Sequence, residues 1–313
     1  MTPVSGPPRR STKRRALVLL NPNARHGQGC ERYASVKWAV DLRFDAKVVQ
    51  TEQAGNDAPI RAALASGVRT FVAAGGDGTV NAVIDALVRL RGDIPLEDLT
   101  LGAVGLGSSN DAHKPNACEI EGIPLRLDVA GAEPRDVGFA RWDGGERAFL
   151  VSASLGVTAA ANGLFNRGDP VLRTLKRWWV DGAITWAAVR MLFGWHNVAA
   201  TLVVDGESTA IALTNLGVAK TPWLSGGLRY DTPIEPRRFA VNLCEDMGRW
   251  RTLRTLGALA CGRFAGLPGT RSWSARGASL VLSGPCDLEL DGEVVQASRV
   301  QFELLPERIR LCR

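Results

Sequence analysis

The segment Gly75–Asn81, with the sequence Gly-Gly-Asp-Gly-Thr-Val-Asn, contains the residues best suited to phosphate chemistry. It follows the apolar segment 68–72 and precedes the helix-like segment 82–88. Glycines have no Cβ, so the backbone can approach a phosphate chain closely, and a helix start supplies N–H donors and the positive end of the helix dipole. Asp77 adds a carboxylate that suits Mg²⁺ or a reacting hydroxyl. We interpret the segment as a nucleotide-phosphate site; the alternative is a tight glycine turn without a ligand.

Two further strand-like segments end in polar loops. The apolar run 16–20 leads into Asn21–Gly27, and the apolar run 101–104 leads into Gly105–Asp111. In an open α/β sheet the carboxyl ends of the strands meet at one edge, where ligands bind. Because three strand-like segments each end in such a loop, we favour a ligand site over a glycine turn without a ligand.

Together these segments resemble the diacylglycerol kinase catalytic-domain family, the lipid kinases that include sphingosine and ceramide kinases. The matching segments are Asn21-Pro22 with Gly27 and Gly29, Thr51 with Gly55 and Ala58, Gly75–Asn81, Gly107–Asp111, Phe149–Gly156, Ser225–Arg229 and Leu290–Glu293. They extend from about residue 15 to the C-terminus, so one family covers nearly the whole chain.

The chain departs from the family pattern at four places. Ala82 replaces the usual Glu, Gly105 replaces a proline, and Ala112-His113-Lys114 replaces Phe-Ala-Arg. The segment Ile234–Phe239 is basic, whereas some bacterial members have an acidic stretch there that supports a structural Mg²⁺. These departures bear on the substrate, the metal arrangement and the rate, and leave the expected fold unchanged.

The hydrophobic pattern predicts an α/β fold. Strand-like segments (16–20, 45–50, 69–73, 101–104) alternate with helix-like ones (28–41, 57–66, 79–91), which predicts parallel βαβ units. From about residue 125, short alternating runs predict antiparallel strands. The resemblance implies an N-terminal three-layer βαβ nucleotide-binding domain and a C-terminal β-sandwich-like domain, as in NAD kinases and diacylglycerol kinases.

The predicted domain boundaries follow from the change from βαβ units to antiparallel strands near residue 125 and from the resemblance. A mobile basic tail occupies residues 1–14, and an ATP-binding α/β domain occupies 15–138 and 299–313. A β-rich lipid-substrate domain occupies 139–298, with a helical insert at about 170–196.

By resemblance, the first domain binds ATP and Mg²⁺. The implied cofactor-binding residues are Asn21, Pro22, Asn23, Ala24, Arg25, Thr51, Gly75, Gly76, Asp77, Gly78, Thr79, Val80, Asn81, Gly107, Ser108 and Asn110. Asp77 would hold Mg²⁺ together with the ATP phosphates, orient the acceptor hydroxyl, or act as the base. Arg25 and Lys114 are cations beside the predicted loops and suit phosphate, although either could simply be solvated.

Asp291 and Glu293 form a second candidate catalytic pair. In a regular strand, residues i and i+2 lie on the same side, so one acid could accept the proton of a hydroxyl while the other orients it. Asp-Gly alone is a hairpin-turn signal, and on the motif alone a solvated turn is favoured. Combined with the family order, the motif leads us to hypothesise that this pair contains the base.

Composition adds expectations about partners. The net charge is +6 with a pI near 9.2, and a basic run at 9–15 follows a proline-rich start. Such a tail attracts anionic lipid or is simply solvated. The insert around 171–195 mixes tryptophan with basic residues, which suits either a membrane interface or packing on the second domain. No nucleic-acid recognition module is evident. Six scattered cysteines indicate reduced thiols in the cytoplasm.

The sequence thus predicts a cytoplasmic, peripherally membrane-associated kinase that transfers the γ-phosphoryl group of ATP to a lipid alcohol. Diacylglycerol is the default acceptor, and a sphingoid base or another lipid alcohol is an alternative. An NAD kinase-like enzyme shares the Gly-Gly-Asp-Gly-Thr loop and the two-domain plan. A nucleotide- or lipid-binding relative without turnover is a further alternative, supported by Ala82. The oligomeric state stays open, with a homodimer among the alternatives.

Overall fold

The structure is a computed structural model that describes residues 13–51, 56–115, 118–166, 190, 194–224 and 226–313. Most of the predicted basic tail and most of the predicted helical insert lie outside these residues. Arg14, the last residue of the predicted tail, already begins the first strand.

The first lobe (residues 14–126) is an α/β unit. Its strands are β1 (Arg14–Leu20), β2 (Phe44–Gln50), β3 (Thr70–Gly75), β4 (Thr100–Gly105), β5 (Glu119–Ile120) and β6 (Ile123–Arg126). Its helices are α1 (Ala24–Gly27), α2 (Gly29–Arg43), α3 (Asp57–Ala65) and α4 (Asp77–Leu90), with 3-10 turns at Leu96–Asp98 and Asp111–His113. Strands β2, β1, β3 and β4 are parallel in that order, which confirms the predicted βαβ units.

Alternation along the buried strands produces three layers. In β1, Leu17 and Leu19 face the core formed with α3 and α4, whereas Val18 and Leu20 face the core formed with α2. A parallel sheet buried on both faces needs such a continuous apolar run, because each side of the strand meets helices. The burial of both faces of β1 therefore follows directly from the sequence of this strand.

The second lobe (residues 133–311) is mainly antiparallel. Its strands are β7 (Glu133–Trp142), β8 (Gly145–Phe149), β9 (Ser152–Gly156), β10 (Val198–Val204), β11 (Glu207–Ala219), β12 (Trp223–Leu224), β13 (Leu228–Arg229), β14 (Phe239–Glu245), β15 (Thr270–Ala275), β16 (Gly277–Leu290) and β17 (Glu293–Leu311). Its helices are α5 (Val157–Asn166) and α6 (Arg249–Ala260).

Two long strands of this lobe change partners along their length. The N-terminal half of β11 pairs with β10, and its C-terminal half pairs with β14 and β9. Likewise β16 pairs with β10 before its register shift and with β9 after it. These partner changes enclose a core in which Phe149 stacks on Phe239 at 5.8 Å and meets the edge of Phe302 at 6.2 Å, measured between ring centroids. The lobe is therefore sandwich-like, as predicted.

Strand β17 joins the lobes. It pairs with β16 in the second lobe, and its final residues Arg310 and Leu311 pair in parallel with β4 in the first. The predicted boundaries at 138 and 299 fall inside β7 and β17, and these two strands pair with each other from 300 to 311. The exact domain boundaries therefore stay a prediction.

A buried ion pair fixes the segment between β13 and β14. The Nζ of Lys220 donates to Asp136 Oδ2 at 2.9 Å, to the Arg238 carbonyl at 2.6 Å and to the Glu235 carbonyl at 3.3 Å. Burial alone would raise the pKa of Asp136, but the hydrogen bonds from Lys220 and from the Arg237 N–H lower it overall. The ammonium thus holds the basic segment 234–239 against β7.

We expect Lys220→Met to destabilise the fold by about 3–5 kcal/mol, because it leaves the buried Asp136 carboxylate without its cation. Urea unfolding measures this cost. Lys37→Met is the matched control, since the side chains of the Lys37–Asp41 pair are 51% and 48% exposed. Such an exposed pair contributes at most about 1 kcal/mol. Equal costs for the two variants would contradict a stabilising role for the buried pair.

Candidate active site

A cavity between the lobes brings carboxylates from distant parts of the chain together. Its lining includes Asp77 and Asp111 from the first lobe, and Glu289 and Asp291 from the second. The remaining wall is largely apolar and includes Val157, Leu224, Leu228, Leu256 and Tyr230. Carboxylates and apolar side chains therefore line the same cavity.

The glycine segments bring two loops into contact. Gly75 ends β3 and Asp77 begins α4, so strand and helix each extend two residues further into the glycine segment than the predicted bounds 69–73 and 79–91. A Cβ on Gly107 would lie 2.5 Å from the Cα of Gly76, and a Cβ on Gly75 would lie 2.1 Å from Thr79 Oγ1. Only glycine permits this approach, so the loops after β3 and β4 form one surface beside the start of α4.

The loop after β1 joins the same edge. The Asn21 N–H donates to the Ala74 carbonyl at 2.8 Å, and Asn21 Nδ2 donates to Thr79 Oγ1 at 3.1 Å. Asn23 donates its N–H to Asn21 Oδ1 at 3.0 Å, which shapes the turn that leads through Pro22 into α1. The first loop is thereby fixed against the glycine turn.

Thr51 lies at the end of β2, beside the end of β1. Its N–H donates to the Leu20 carbonyl at 2.7 Å. The carboxyl ends of all four parallel strands therefore lie at one sheet edge, as the open α/β arrangement requires.

Several predicted cofactor residues have other contacts. Val80 is buried in the core beneath the sheet, and Asn81 is buried with its Nδ2 directed at the Ala148 carbonyl (2.8 Å) and Asp291 (3.3 Å). Ala24 belongs to the core beside α2. The Asn110 side chain closes its own loop, because it accepts from the Gly107 N–H and donates to the carbonyls of Gly105 and Gly107. These residues stabilise the loops at the sheet edge and do not line the cavity.

The two predicted phosphate cations also differ in placement. Arg25 is exposed, with a left-handed backbone (φ 48°). Lys114 is engaged by Asp111 Oδ1 at 2.7 Å and by the Gly226 carbonyl, and its ammonium lies over the Trp223 ring. Asp111 also accepts from the Gly226 N–H. Lys114 therefore connects the first lobe to the turn before β13.

Asp291 is the most heavily hydrogen-bonded carboxylate of the site. It is 4% exposed and accepts from the N–H groups of Leu150 (2.7 Å), Val151 (3.0 Å) and Ser152 (2.8 Å), as well as from Asn81. Burial raises the pKa of Asp291, and these donors act against that rise. The side chain joins α4 to the loop between β8 and β9.

The assumption of strand alternation at Asp291 and Glu293 was wrong. Leu290 pairs with Glu293, so Asp291 and Gly292 form the two-residue turn of a hairpin, with φ values of 48° and 97°. Positive φ at both positions is typical of a type I′ turn. Asp291 therefore points inward, whereas Glu293 is exposed and lies beside Gly78 in the first turn of α4.

Sequence reasoning did not single out Glu289 or Asp111 as site residues. Glu289 is 8% exposed and accepts from Ser154 Oγ at 2.8 Å and from the Gly292 N–H at 2.5 Å. Burial raises the pKa of Glu289 to about 7, and Asp291 and Asp77 add to the effect. Asp111 belongs to the segment Gly107–Asp111 that carries the family resemblance, so its place in the loop after β4 is the signal that identifies it.

Asp77 lies where the two lobes meet. Its Oδ1 accepts from the Ala112 N–H at 2.9 Å. Burial and the negative charge of Asp111 raise the pKa of Asp77 to about 6. A carboxylate whose ionised form is disfavoured by a neighbouring carboxylate is typical of sites that bind a cation or move a proton.

The donor set suits a phosphate-bound cation rather than a metal held by protein alone. Across the described residues, no group of three or more His, Cys, Asp or Glu side chains is arranged to hold a metal ion. Mg²⁺ often uses only one or two carboxylates and completes its octahedron with water and substrate phosphates. Asp77, a carboxylate with a raised pKa in the cavity lining, fits that pattern.

Comparison with known proteins agrees with this architecture. Residues 15–126 match the family model of the diacylglycerol kinase catalytic domain. The resemblance to that family is therefore confirmed over the segment that contains the glycine turn and the loop after β4. No curated protein matches the chain.

Solved structures extend the likeness to nearly the whole chain. A diacylglycerol kinase structure from Bacillus anthracis str. Sterne is 15% identical with a TM-score of 0.66, and the alignment covers 97% of this chain and 98% of that one. Two further structures from the same organism, whose assignment as diacylglycerol kinases is provisional, are 16% and 17% identical with TM-scores of 0.70 and 0.69, at the same coverage. At these identities the likeness establishes the shared two-lobe fold.

We expect Gly107→Ala to destabilise the protein by about 1–3 kcal/mol, because the new methyl group would force the two loops apart. Gly284→Ala is the matched control, since a Cβ there has no heavy atom within 4 Å. Thermal unfolding of both variants measures the difference. A Gly107→Ala variant as stable as the control would show that the loops do not need their close approach.

Glu289→Gln should change how stability depends on pH. The pKa of Glu289 in the folded state is about 7, against 4.5 for the free group, so the folded state binds its proton more tightly than the unfolded chain does. This group therefore lowers the unfolding free energy as pH rises from about 4.5 to 7. The variant should gain stability relative to the wild type across that window and level off above it, as urea unfolding at several pH values would show. A difference that does not change with pH would contradict the raised pKa.

Proposed function

We propose that the cavity between the lobes transfers the γ-phosphoryl group of ATP to the hydroxyl of a lipid alcohol, with diacylglycerol as the default acceptor. The observation that carries this proposal is the lining of the cavity, which combines the carboxylates and Ser108 of the loop after β4 with apolar side chains. Phosphates suit the loop and the carboxylates, and an acyl chain suits the apolar side chains.

The first lobe would hold the nucleotide. Gly76 and Gly107 form a surface without side chains, and Ser108 lines the cavity next to it. Phosphoryl transfer demands positioning and neutralisation of charge more than covalent participation by the protein. Mg²⁺, held by Asp77 and the phosphates, would supply that neutralisation.

The second lobe would bind the acceptor. Leu224, Leu228 and Leu256 provide apolar contact, and the hydroxyl would lie among Asp77, Glu289 and the Asp291 turn. During transfer a bond forms between the acceptor oxygen and the γ-phosphorus, the bond to the β-phosphate oxygen breaks, and the hydroxyl proton passes to a carboxylate while ADP leaves.

Within the Asp291–Glu293 pair we assign different roles. Asp291 already accepts four hydrogen bonds, which suits a positioning residue. Glu293 is outside the cavity lining but exposed beside Gly78 in the first turn of α4, so its carboxylate would accept the proton of a hydroxyl held near that turn. Glu289, inside the cavity, is the competing acceptor.

The proposed acceptor also implies contact with a membrane surface from the cytoplasmic side. Among the helices that the structure describes, none combines the length and apolar character needed to cross a bilayer. A lipid kinase of this build would meet its substrate at the lipid–water interface.

Transfer of labelled γ-phosphate from ATP to a panel of lipids in mixed micelles tests the proposal, with NAD as a parallel acceptor and Asp77→Asn as the control. We expect Mg²⁺-dependent label in a lipid and its loss in the control. Label in NAD alone would replace the lipid assignment with an NAD kinase. ATP binding without transfer to any acceptor would favour a binding protein.

The roles of the carboxylates can be separated by single variants. We expect Glu293→Gln to lower kcat by about 10²–10⁴-fold, the usual contribution of a general base, while the Kd for ATP changes little. Asp291→Asn should lower kcat without removing its pH dependence, because it acts through position. If Glu289→Gln removes turnover and Glu293→Gln does not, the base is Glu289.

A further inference from the structure

Helix α6 carries an exposed apolar and basic face. The Trp250 side chain is 79% exposed and Leu253 is 42% exposed, although both are large and apolar. Together with Arg254 they follow the spacing i, i+3, i+4, which places them on one face of the helix. The opposite face, with Thr252, Thr255 and Leu259, is buried.

The charge of this helix has one sign. Residues Arg249–Ala260 include three arginines, at 249, 251 and 254, and no acidic residue. Arg251 and Arg254 are exposed on the same side of Trp250, about 100° and 40° around the helix from it. An amphipathic helix with tryptophan and leucine outward and arginines beside them matches the chemistry of an anionic lipid–water interface.

The same helix borders the candidate active site. Leu256 lines the cavity, and Leu224 and Leu228, which pack in the core cluster beside α6, line it as well. Leu253 on the exposed face of α6 is thus three residues, about one helical turn, from Leu256, which would contact the acceptor.

We propose that the Trp250–Leu253–Arg254 face of α6 docks the protein on a bilayer that contains anionic lipid, so that the acceptor passes from that bilayer into the cavity beside Leu256. This inference rests on the proposed lipid kinase function. A second copy of the chain fits the face less well, because a two-fold contact would place the arginines of one helix against those of the other.

A second exposed apolar pair provides an internal control. On α2, Trp38 is 57% exposed and Leu42 is 64% exposed, also at i, i+4 spacing. There the neighbouring Lys37 is paired with Asp41. Among the described residues, exposed tryptophan is therefore present on two helices, and of these two only α6 has arginines and no acidic residue within the helix.

Co-sedimentation of the full chain with phosphatidylcholine vesicles, with and without phosphatidylglycerol, tests the docking face. We expect binding only with phosphatidylglycerol and weaker binding at high salt, since the Debye length shrinks. Arg251→Gln/Arg254→Gln should lower the affinity roughly 25-fold, about five-fold for each arginine. Trp250→Ser should lower it about ten-fold or more, because it removes a large buried apolar area.

Two matched variants control for general effects. Trp38→Ser removes the other exposed tryptophan of the described residues, and Arg61→Gln/Arg310→Gln removes the same charge from exposed positions on α3 and β17. Neither should change vesicle binding by more than the error of the measurement. Equal losses in the α6 variants and these controls, or no binding by the wild type, would overturn the proposal.

Two readouts separate this proposal from the function it rests on. Turnover of a dispersed short-chain diacylglycerol should be unchanged in Trp250→Ser, whereas turnover of vesicle-borne diacylglycerol should fall with binding. Vesicle binding that depends on α6 without any phosphoryl transfer would support the docking face and overturn the kinase proposal. Sedimentation equilibrium showing a dimer that Trp250→Ser dissociates, with vesicle binding unchanged, would overturn the docking face in favour of a second copy.

Discussion

The site depends on one buried carboxylate, that of Asp291. Its two oxygens accept hydrogen bonds from the backbone N–H groups of three successive residues after β8 and from the side-chain amide of Asn81 on α4. A buried charge without partners would be very costly, so the turn, the loop and the helix must remain together to solvate it. This constraint holds the second lobe against the first at the point where the other carboxylates converge.

The shape of the rest of the site depends on close contact between backbone segments near Asp291. The contact between Gly76 and Gly107 allows the loops after β3 and β4 to form one surface. Asp77 lies between these loops, where burial and the negative charge of Asp111 raise its pKa, so its ionised form has a cost that a bound cation would relieve. Close packing of the loops and the electrostatic character of the site are therefore consequences of the same sequence.

Much of the first lobe could be predicted because its signals are local. The apolar runs at 16–20 and 101–104 required burial on both faces, and the glycines after 74 required a tight turn into a helix. The position of Asp291 could also be predicted from a local signal, because Asp-Gly between strand-like runs is a hairpin turn. The alternation argument that grouped its side chain with Glu293 failed because a turn interrupts the period of two.

Other parts of the site depend on contacts that no local pattern contains. Glu289 alternates with Leu288 and Leu290, which reads as an exposed position on a half-buried strand. It is buried because β9 pairs with this part of β16 and places Ser154 opposite it. Similarly, the outward direction of Trp250 is set by which face of α6 packs on the core beside β13, a choice made by tertiary contact.

In the proposed function, the nucleotide occupies the cleft that Asp291 holds together. Amide hydrogen exchange with and without MgATP tests it most directly, because it reports contact by position along the chain. We predict protection within 75–81 and 107–113, at the glycine turn and the loop after β4, and little change on β10 or β15. Protection confined to the second lobe, or none at saturating nucleotide, would contradict the assignment of the cleft.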